Sequence, residues 1–306
     1  MIKQLEVEVG GQRIDAYIAS ELPDISRSYV AVLLSDGRIT CEGVNKLKAS
    51  YKVQPGDKIT IDIPAPVETD TKPQDIPLDI VYEDDDLIII NKPQGMVVHP
   101  ACGHHEDTLV NALLHHCKGN LSDINGVIRP GIVHRIDKDT SGIMIAVKNN
   151  ETHQALADML AKHEIIRQYR CIVHGIVSPD KCTIDAPIGR SSTDRRKMTV
   201  REEGKESVTH FTVVQRYKEA TDLSLLLETG RTHQIRAHMS YIGHPPVGDP
   251  IYSGRRPTYG LKGQALHSKS ISFIHPRTGK RLEFEVDLPE YYKEVLNRLT
   301  PIDPGK

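Results

Sequence analysis

The segment GIVHRIDKDTSG occupies residues 131–142, near the middle of a chain of 306 residues. It sets histidine, arginine, lysine and aspartate between apolar positions, and an unbroken apolar run follows it at residues 143–147. That run predicts a buried strand. Charged groups at the edge of a core are costly unless they pair. We therefore expect a loop whose charged side chains meet partners from other parts of the chain.

Three other interpretations apply to the same residues. Asp137, Asp139, Ser141 and Gly142 match the start of an EF-hand calcium loop, but that loop needs a glutamate at its twelfth position. The chain has Lys148 there, which argues against calcium. An aspartyl phosphotransferase has Asp-x-Asp-x-Thr after an uninterrupted strand, whereas here Ser141 holds the fifth position and a histidine and an arginine break the strand. An ordinary salt-bridged turn stays open on these residues alone.

The composition, with 38% hydrophobic and 26% charged residues, is that of a soluble globular protein. No apolar run reaches the length of a membrane span, and the amino terminus lacks the apolar core of a signal peptide, so we expect no membrane. Five scattered cysteines favour a reducing cytoplasm. Histidines and cysteines between His99 and Cys117 lack a regular ligand spacing, so no metal is expected. With a net charge of −2, nucleic-acid binding must depend on local basic patches.

Residues 1–64 predict a small α/β domain of two helices followed by turns and short strands. Their order resembles the S-four RNA-binding domain, named after a ribosomal protein. In that family the second helix and the following hairpin bind RNA. Acidic residues here are about as numerous as basic ones, so we expect weak, salt-dependent binding. The resemblance implies contacts at Ser26, Arg27 and Arg38, and we add Lys46 and Lys48 because they lie on the same predicted hairpin.

Residues 65–78 are polar, rich in proline and aperiodic, which predicts a linker. Residues 79–306 then predict the second domain. Within it, residues 187–208 form a basic excursion suited to phosphate contacts. Its candidate contacts are Arg190, Arg195, Arg196 and Lys197.

Two further segments of this domain carry candidate site residues. Alternation along the predicted strand 166–173 puts Tyr169 on the core side, which by itself is typical of a core aromatic. Thr108 and Asn150 are the predicted caps of two helices, and the segment GRTHQIRAH, residues 230–238, predicts a further helix that Thr232 caps. Backbone amides at such a helix start, with Arg231 and Arg236, favour an anion, either a phosphate or a carboxylate such as that of Asp137.

The segments HRIDKDTSG (134–142), RQY (167–169) and GRTHQIRAH (230–238) together resemble the RluA/RluD family of RNA pseudouridine synthases. Shorter matches support the resemblance, which covers nearly the whole chain in the family's order. Ile136 replaces the family's more usual leucine, a change that does not touch the chemistry. The shorter matches are NKPxG at 91–95, PIGR at 187–190, RKM at 196–198 and Leu266-His267.

The resemblance implies isomerisation of uridine to pseudouridine in structured RNA, expected to be large-subunit ribosomal RNA, without a cofactor. The family breaks the N-glycosidic bond, turns the base and rejoins it through carbon. The family's essential aspartate maps to Asp137, with Asp139 as the alternative. Its tyrosine, which packs on the base, maps to Tyr169, and the basic partner of the aspartate maps to Arg236. Whether the carboxylate attacks the sugar or assists glycal formation stays open.

A uridine in folded RNA must be flipped out to react, and His134 and Arg135 are our candidates for holding the opened site. We expect an α+β catalytic domain with a mixed, largely antiparallel central sheet flanked by helices, preceded by the S-four-like domain, in a monomer. A non-catalytic RNA-binding or ribosome-assembly factor that keeps the fold is the alternative. A glycoside hydrolase would need a second acid, and the sequence offers no obvious one.

Overall fold

A three-stranded antiparallel sheet packs against two helices at the start of the chain. The computed structural model describes residues 1–22, 25, 27–64, 71–100, 106–124 and 130–302. The hydrophobic cluster here draws all its members from between residues 5 and 63. Ser26 lies outside the described residues, so its predicted roles stay predictions. The elements are β1 (Ile2–Glu6), α1 (Ile14–Glu21), α2 (Arg27–Ser35), β2 (Ile39–Cys41) and β3 (Lys58–Asp62), with strand order β1-β3-β2.

Beyond residue 79 the chain builds a sheet of nine strands, a separate two-stranded ribbon and four helices among the described residues. The elements in chain order are β4 (Ile80–Glu83), β5 (Leu87–Lys92), α3 (Leu109–His116), β6 (Ser141–Val147), α4 (Asn150–Ala161), β7 (Ile166–His174), β8 (Lys181–Asp185), β9 (Ile188–Arg190), β10 (Met198–Val200), β11 (Val208–Arg216), β12 (Ala220–Leu227), α5 (Gln234–Tyr241), β13 (Leu266–Ile274), β14 (Arg281–Glu285) and α6 (Glu290–Arg298).

The large sheet is mixed and largely antiparallel, which confirms the predicted fold class. Its order is β4-β5-β6-β13-β7-β12-β11-β8, with β14 paired to β13. Between the described strands, the pair β6 and β13 is parallel and the other pairs of this sheet are antiparallel. In the described part of the chain, no helix is both long and apolar enough to cross a membrane.

The apolar run after the opening segment forms β6, in which all seven residues are buried. Met144 and Ala146 join the hydrophobic cluster on one face of the sheet, while Ile143, Ile145 and Val147 join the cluster on the other. A strand covered on both faces needs apolar residues at every position, which explains the lack of alternation. The strand therefore fixes the end of the charged loop firmly in the core.

The insertion of β13 between β6 and β7 brings two sequence motifs together. His267 of β13 pairs with Ser141, and the next residue, Ser268, pairs with both Gly142 and Tyr169. Gly142 has φ +106°, and a Cβ there would lie 2.1 Å from the carbonyl oxygen of Ser268. Only glycine fits this close approach. The loop that precedes β6 consequently ends one strand away from Tyr169.

The structure confirms one predicted helix cap and corrects two others. Thr108 caps α3, and its side chain accepts a hydrogen bond from the backbone N–H of Asn111. Asn149, not Asn150, caps α4. Thr232 was predicted to cap α5 and does not, because that helix begins at Gln234 with His233 in the left-handed region at φ +55°.

The side chain of Gln234 explains the displaced start of α5. Its Oε1 accepts hydrogen bonds from the Arg231 backbone N–H at 2.9 Å and from the Thr229 hydroxyl at 2.7 Å. This residue thereby stabilises the turn before the helix, a role that the sequence pattern assigned to the threonine.

Part of the predicted linker contacts the second domain. The backbone N–H of Gln74 donates to the Asn111 carbonyl at 3.0 Å, and the Asn111 side chain donates to the Lys72 carbonyl at 2.8 Å. Residues 65–70 lie outside the described residues. The domain boundaries at residues 64 and 78 stay predictions.

Candidate active site

The carboxylate of Asp137 lies in the loop before β6 and contacts the first turn of α5. Its Oδ2 accepts a hydrogen bond of 2.8 Å from Nη1 of Arg236, and its Oδ1 lies 3.9 Å from Nε2 of His233. Asp137 keeps 17% of its side chain exposed, whereas Arg236 keeps 4%. The pair fixes the orientation of a carboxylate that a ligand can still reach, as the resemblance implied for these two residues.

Arg236 has a second carboxylate partner, Asp249, that the sequence reasoning missed. Nε and Nη2 of Arg236 donate to its two oxygens at 2.7 and 3.0 Å, a bidentate pair. Burial alone lowers the pKa of Arg236, but Asp249 and Asp137 raise it above its ordinary value. No local sequence pattern links Asp249 to an arginine 13 positions earlier.

Asp249 is itself held by its own turn. Its Oδ1 also accepts the backbone N–H groups of Ile251 and Tyr252 at 2.9 and 3.0 Å. The Tyr252 ring covers Arg236, whose guanidinium carbon lies 5.1 Å from the ring centroid. The turn after Asp249 therefore holds Arg236 from two sides and leaves only Nη1 for Asp137.

Tyr169 lines the same cavity, of about 50 Å³, as Asp137 and Arg236. Its ring is 5% exposed, on the core side of β7 as alternation predicted. Burial raises the pKa of the Tyr169 hydroxyl, so the phenol remains protonated at neutral pH. The three residues that the resemblance named as catalytic thus meet at one place.

Lys92 anchors the loop that carries Asp137. It is fully buried, and its Nζ donates to the carbonyl oxygens of Pro93, Met96 and Lys138, each at 2.9 Å. Burial lowers the pKa of Lys92 to about 7, opposed by the charges of Asp139 and Asp137. In the sequence, this lysine belongs to the supporting NKPxG motif. Its contact with the peptide next to Asp137 makes it a positioning group.

His134 is engaged with the sheet. Its Nε2 accepts the backbone N–H of Ile145 at 2.9 Å, so the ring replaces a strand partner along β6. Burial, with a smaller effect of the Arg167 charge, lowers the pKa of His134 to about 3. The neutral ring is therefore the form present in the folded protein at ordinary pH. Its predicted contact with RNA stays a prediction.

A histidine held neutral makes stability depend on pH. The unfolded imidazole takes up a proton near its ordinary pKa of 6.5, whereas the folded one does so only near 3. The unfolded state binds more protons in that window, so stability is complete above pH 6.5 and falls as the pH is lowered. His134→Gln keeps an acceptor for Ile145 without titrating. The free energy of unfolding is measured with urea at pH 7 and at pH 4.5. Between these two pH values it should fall less for His134→Gln than for the wild type.

His115→Gln is the matched control for this measurement, because His115 is exposed on α3. Between pH 7 and pH 4.5, His115→Gln should lose as much free energy of unfolding as the wild type does. A His134→Gln variant that loses as much stability as the wild type would contradict the assignment.

The other predicted RNA contacts lie in three places: the basic excursion, the amino-terminal domain, and the cavity itself, which Arg135 and Arg231 line. In the basic excursion, Nζ of Lys197 lies 5.9 Å from the centroid of the Tyr252 ring, the ring that also covers Arg236. In the amino-terminal domain, Arg27 pairs with Asp15 at 3.3 Å. The remaining side chains are exposed on one or other of these regions or on the cavity rim: Arg38, Lys46, Lys48, Arg135, Arg190, Arg195, Arg196 and Arg231.

One group of potential metal ligands occurs among the described residues: Asp84, Asp86 and His275. Protein donors already occupy its carboxylates, since Asp86 accepts from Arg277 at 2.5 Å and from Asn149 at 2.9 Å. We interpret this group as a polar network that joins two turns of the sheet. Of the residues considered above for zinc, Cys102, His104 and His105 lie outside the described part of the chain.

Comparisons with known proteins agree with this geometry. A family model described as RNA pseudouridylate synthase matches residues 86–241, and an S4 domain model matches residues 12–59. RNA pseudouridine synthase YlyB of Bacillus subtilis, called uncharacterized, is 50% identical over 95% of each chain. Ribosomal large subunit pseudouridine synthase D of Zymomonas mobilis is 45% identical over 94% of this chain and 93% of its own.

A solved structure, human RNA Pseudouridylate Synthase Domain Containing 1, has a TM-score of 0.59 and 25% sequence identity. It covers 74% of this chain, which covers 89% of that one. These relatives are named as synthases, which removes the alternative of a non-catalytic factor. The chain therefore belongs to the RNA pseudouridine synthases, a family of isomerases, and carries an S4 domain at its amino-terminal end.

Proposed function

We propose that this enzyme isomerises specific uridines of large-subunit ribosomal RNA, with Asp137 as its essential residue and without a cofactor. The observation that carries the proposal is the reachable carboxylate of Asp137, held by Arg236 in the cavity that Tyr169 lines. Relatives named ribosomal large subunit pseudouridine synthase D, 42% to 45% identical to this chain, support the choice of RNA.

The two oxygens of Asp137 have different environments. Oδ2 is engaged by Arg236, so Oδ1 is the oxygen free to react with a ribose. A carboxylate in this place can attack C1′, stabilise positive charge on the sugar, or remove the C2′ proton on the way to a glycal. In each case the C1′–N1 bond breaks and its electron pair stays with the uracil.

The rest of the reaction concerns the base. The freed uracil turns, its C5 bonds to C1′, and the proton on C5 is lost while N1 gains one, so substrate and product are isomers. Tyr169 lies where it can pack on the base, and its protonated hydroxyl can exchange a proton with it. Arg236 does not meet the base in this scheme and acts by aiming the carboxylate.

The test is to incubate the purified protein with large-subunit and small-subunit ribosomal RNA transcripts and to map pseudouridines at single-nucleotide resolution. We expect new pseudouridines at a few defined positions of the large-subunit RNA, and the same positions should be lost in cells that lack the protein. Pseudouridines confined to small-subunit or transfer RNA would contradict the proposed substrate.

The amino-terminal domain is proposed to add affinity for RNA. Deletion of residues 1–64 is expected to weaken binding of the substrate RNA by tenfold or more, since it removes several cationic side chains from the interface. The hydrophobic cluster of that domain shares no residue with those of the large sheet, so the remainder should stay folded. Filter binding measures the affinity, and circular dichroism measures the fold.

The double variant Lys46→Ala with Lys48→Ala tests the same domain without deleting it, because both side chains are exposed. It should weaken binding in low salt and have little effect at high salt. Unchanged affinity after the deletion would count against an RNA role for the domain.

The monomeric state and the cytoplasmic location stay predictions.

A further inference from the structure

Arg167 lies on β7 two residues before Tyr169 and is 7% exposed. It lines the cavity that holds Asp137 and also a second cavity of about 350 Å³. We call the second one the arginine cavity, because Arg135, Arg167 and Arg231 all line it. Arg135, Arg231 and Gly230 line both cavities as well. These three residues and Arg167 thus belong to the wall that the two cavities share.

The charge of Arg167 has no carboxylate partner within 4.0 Å in the described part of the chain. Its hydrogen bond there runs from Nη2 to the Glu228 carbonyl oxygen, at a long 3.4 Å. Among the residues that the structure describes, its buried Nε has no hydrogen-bond partner. Two other arginines of this domain differ, since buried Arg236 has two carboxylate partners and half-buried Arg170 pairs with Asp222. A buried charge without a partner is costly, which points to a counter-ion supplied from outside the protein.

Gly230 makes room for this guanidinium. A Cβ at Gly230 would lie 2.7 Å from Nη1 of Arg167, too close for any other residue unless the arginine moved. The backbone of Gly230 has no positive φ that would by itself call for glycine. The glycine of the third motif is therefore explained by the guanidinium, which keeps its place between the two cavities.

We propose that Arg167, together with Arg135 and Arg231, binds a backbone phosphate next to the flipped uridine in the arginine cavity. The inference rests on the proposed function, in which the ribose of that uridine lies against Asp137. A phosphodiester is bonded to the ribose, so it falls at the wall that the two cavities share. None of the described residues that line the arginine cavity is acidic.

Arginine suits this role because its planar fork donates two parallel hydrogen bonds to phosphate oxygens. Two histidines complete the polar lining, and His134 is held neutral, so it adds no repulsion toward the arginines. The RNA phosphate would supply the counter-ion that the described residues do not offer to Arg167. Binding of RNA and compensation of the buried charge are then the same event.

The Arg167→Met variant separates a phosphate contact from a structural role. Methionine fills similar space without the charge, so thermal stability should stay equal to that of the wild type or rise. RNA affinity should fall about 10- to 100-fold, the worth of a hydrogen bond to a charged group. A structural arginine would show the opposite pattern, with lost stability and retained affinity. Arg167→Lys keeps the charge but not the planar fork, so its RNA affinity should lie between that of the wild type and that of Arg167→Met.

The decisive test crosses this variant with an RNA whose charge is removed at one linkage. Short RNAs with a neutral methylphosphonate on the 5′ or the 3′ side of a mapped target uridine are compared with unmodified RNA. For the wild type, affinity should fall about tenfold or more at one of these linkages. For Arg167→Met the same modification should have little further effect, because the contact is already lost.

Arg281→Met is the control, since Arg281 is exposed on β14 and paired with Glu283. It should keep the full sensitivity to the methylphosphonate. Two outcomes would overturn the inference. In the first, the losses of affinity from Arg167→Met and from the methylphosphonate add at both linkages. In the second, Arg167→Met binds unmodified RNA as tightly as the wild type does. If the wild type forms no pseudouridine in any ribosomal RNA, the proposed function fails instead, which is a different outcome.

Discussion

The Asp137→Asn variant is expected to bind RNA as tightly as the wild type and to form pseudouridine at least about 10⁴ times more slowly. An amide neither attacks a sugar carbon nor stabilises positive charge as a carboxylate does. The fold should survive, because Arg236 keeps both hydrogen bonds to Asp249 when the charge on Asp137 is removed. Single-turnover assays on a mapped target uridine measure the rate, and filter binding measures the affinity.

Asp139→Asn is the matched control for this prediction. Asp139 lies two positions further along the same loop, its Cβ packs against Gly263, and it does not line the cavity of Asp137. Its variant should retain most of the wild-type rate. A fast Asp137→Asn enzyme together with a slow Asp139→Asn enzyme would transfer the catalytic role to Asp139.

The Asp249→Asn variant is expected to lose about 3–5 kcal/mol of stability, the usual result of removing one partner from a buried ion pair. For a protein of this size, that loss corresponds to a fall in the melting temperature of roughly 10 °C. Arg236, 4% exposed, would then rely on Asp137 alone. Its guanidinium should shift toward that carboxylate, and turnover should fall by at least about tenfold because the carboxylate is displaced. Calorimetry and single-turnover kinetics measure the two effects.

A double variant, Asp249→Asn with Arg236→Gln, distinguishes the two roles of this pair. With both members of the buried pair neutral, the one carboxylate that loses its cation is that of Asp137, which is 17% exposed, and much of the lost stability should return. Activity should not return, because nothing then holds Oδ2 of Asp137. Recovery of activity along with stability would show that Arg236 is structural and does not aim the carboxylate.

Several local features were predictable because they depend on neighbours in sequence. The run 143–147 predicted β6, and alternation placed Tyr169 on the buried side of β7. Thr108 was predicted to cap α3, and it does. The cap of α5 was wrong because the side chain of Gln234, inside the helix, stabilises the turn in place of Thr232. Capping preferences describe single residues, and a neighbouring side chain that makes the same hydrogen bonds can replace the preferred cap.

By itself the sequence determined the family, the α+β class and the motifs that carry Asp137, Tyr169 and Arg236. Tertiary structure alone decided which groups meet: Arg236 reaches Asp137 across 99 positions, and it takes Asp249 as its second partner. The physical reason is the order of strands, since β13 lies between β6 and β7 and joins two segments that sequence spacing leaves unrelated. The lack of a carboxylate partner for Arg167 among the described residues is likewise a property of packing, because sequence spacing does not show which side chains surround a buried guanidinium.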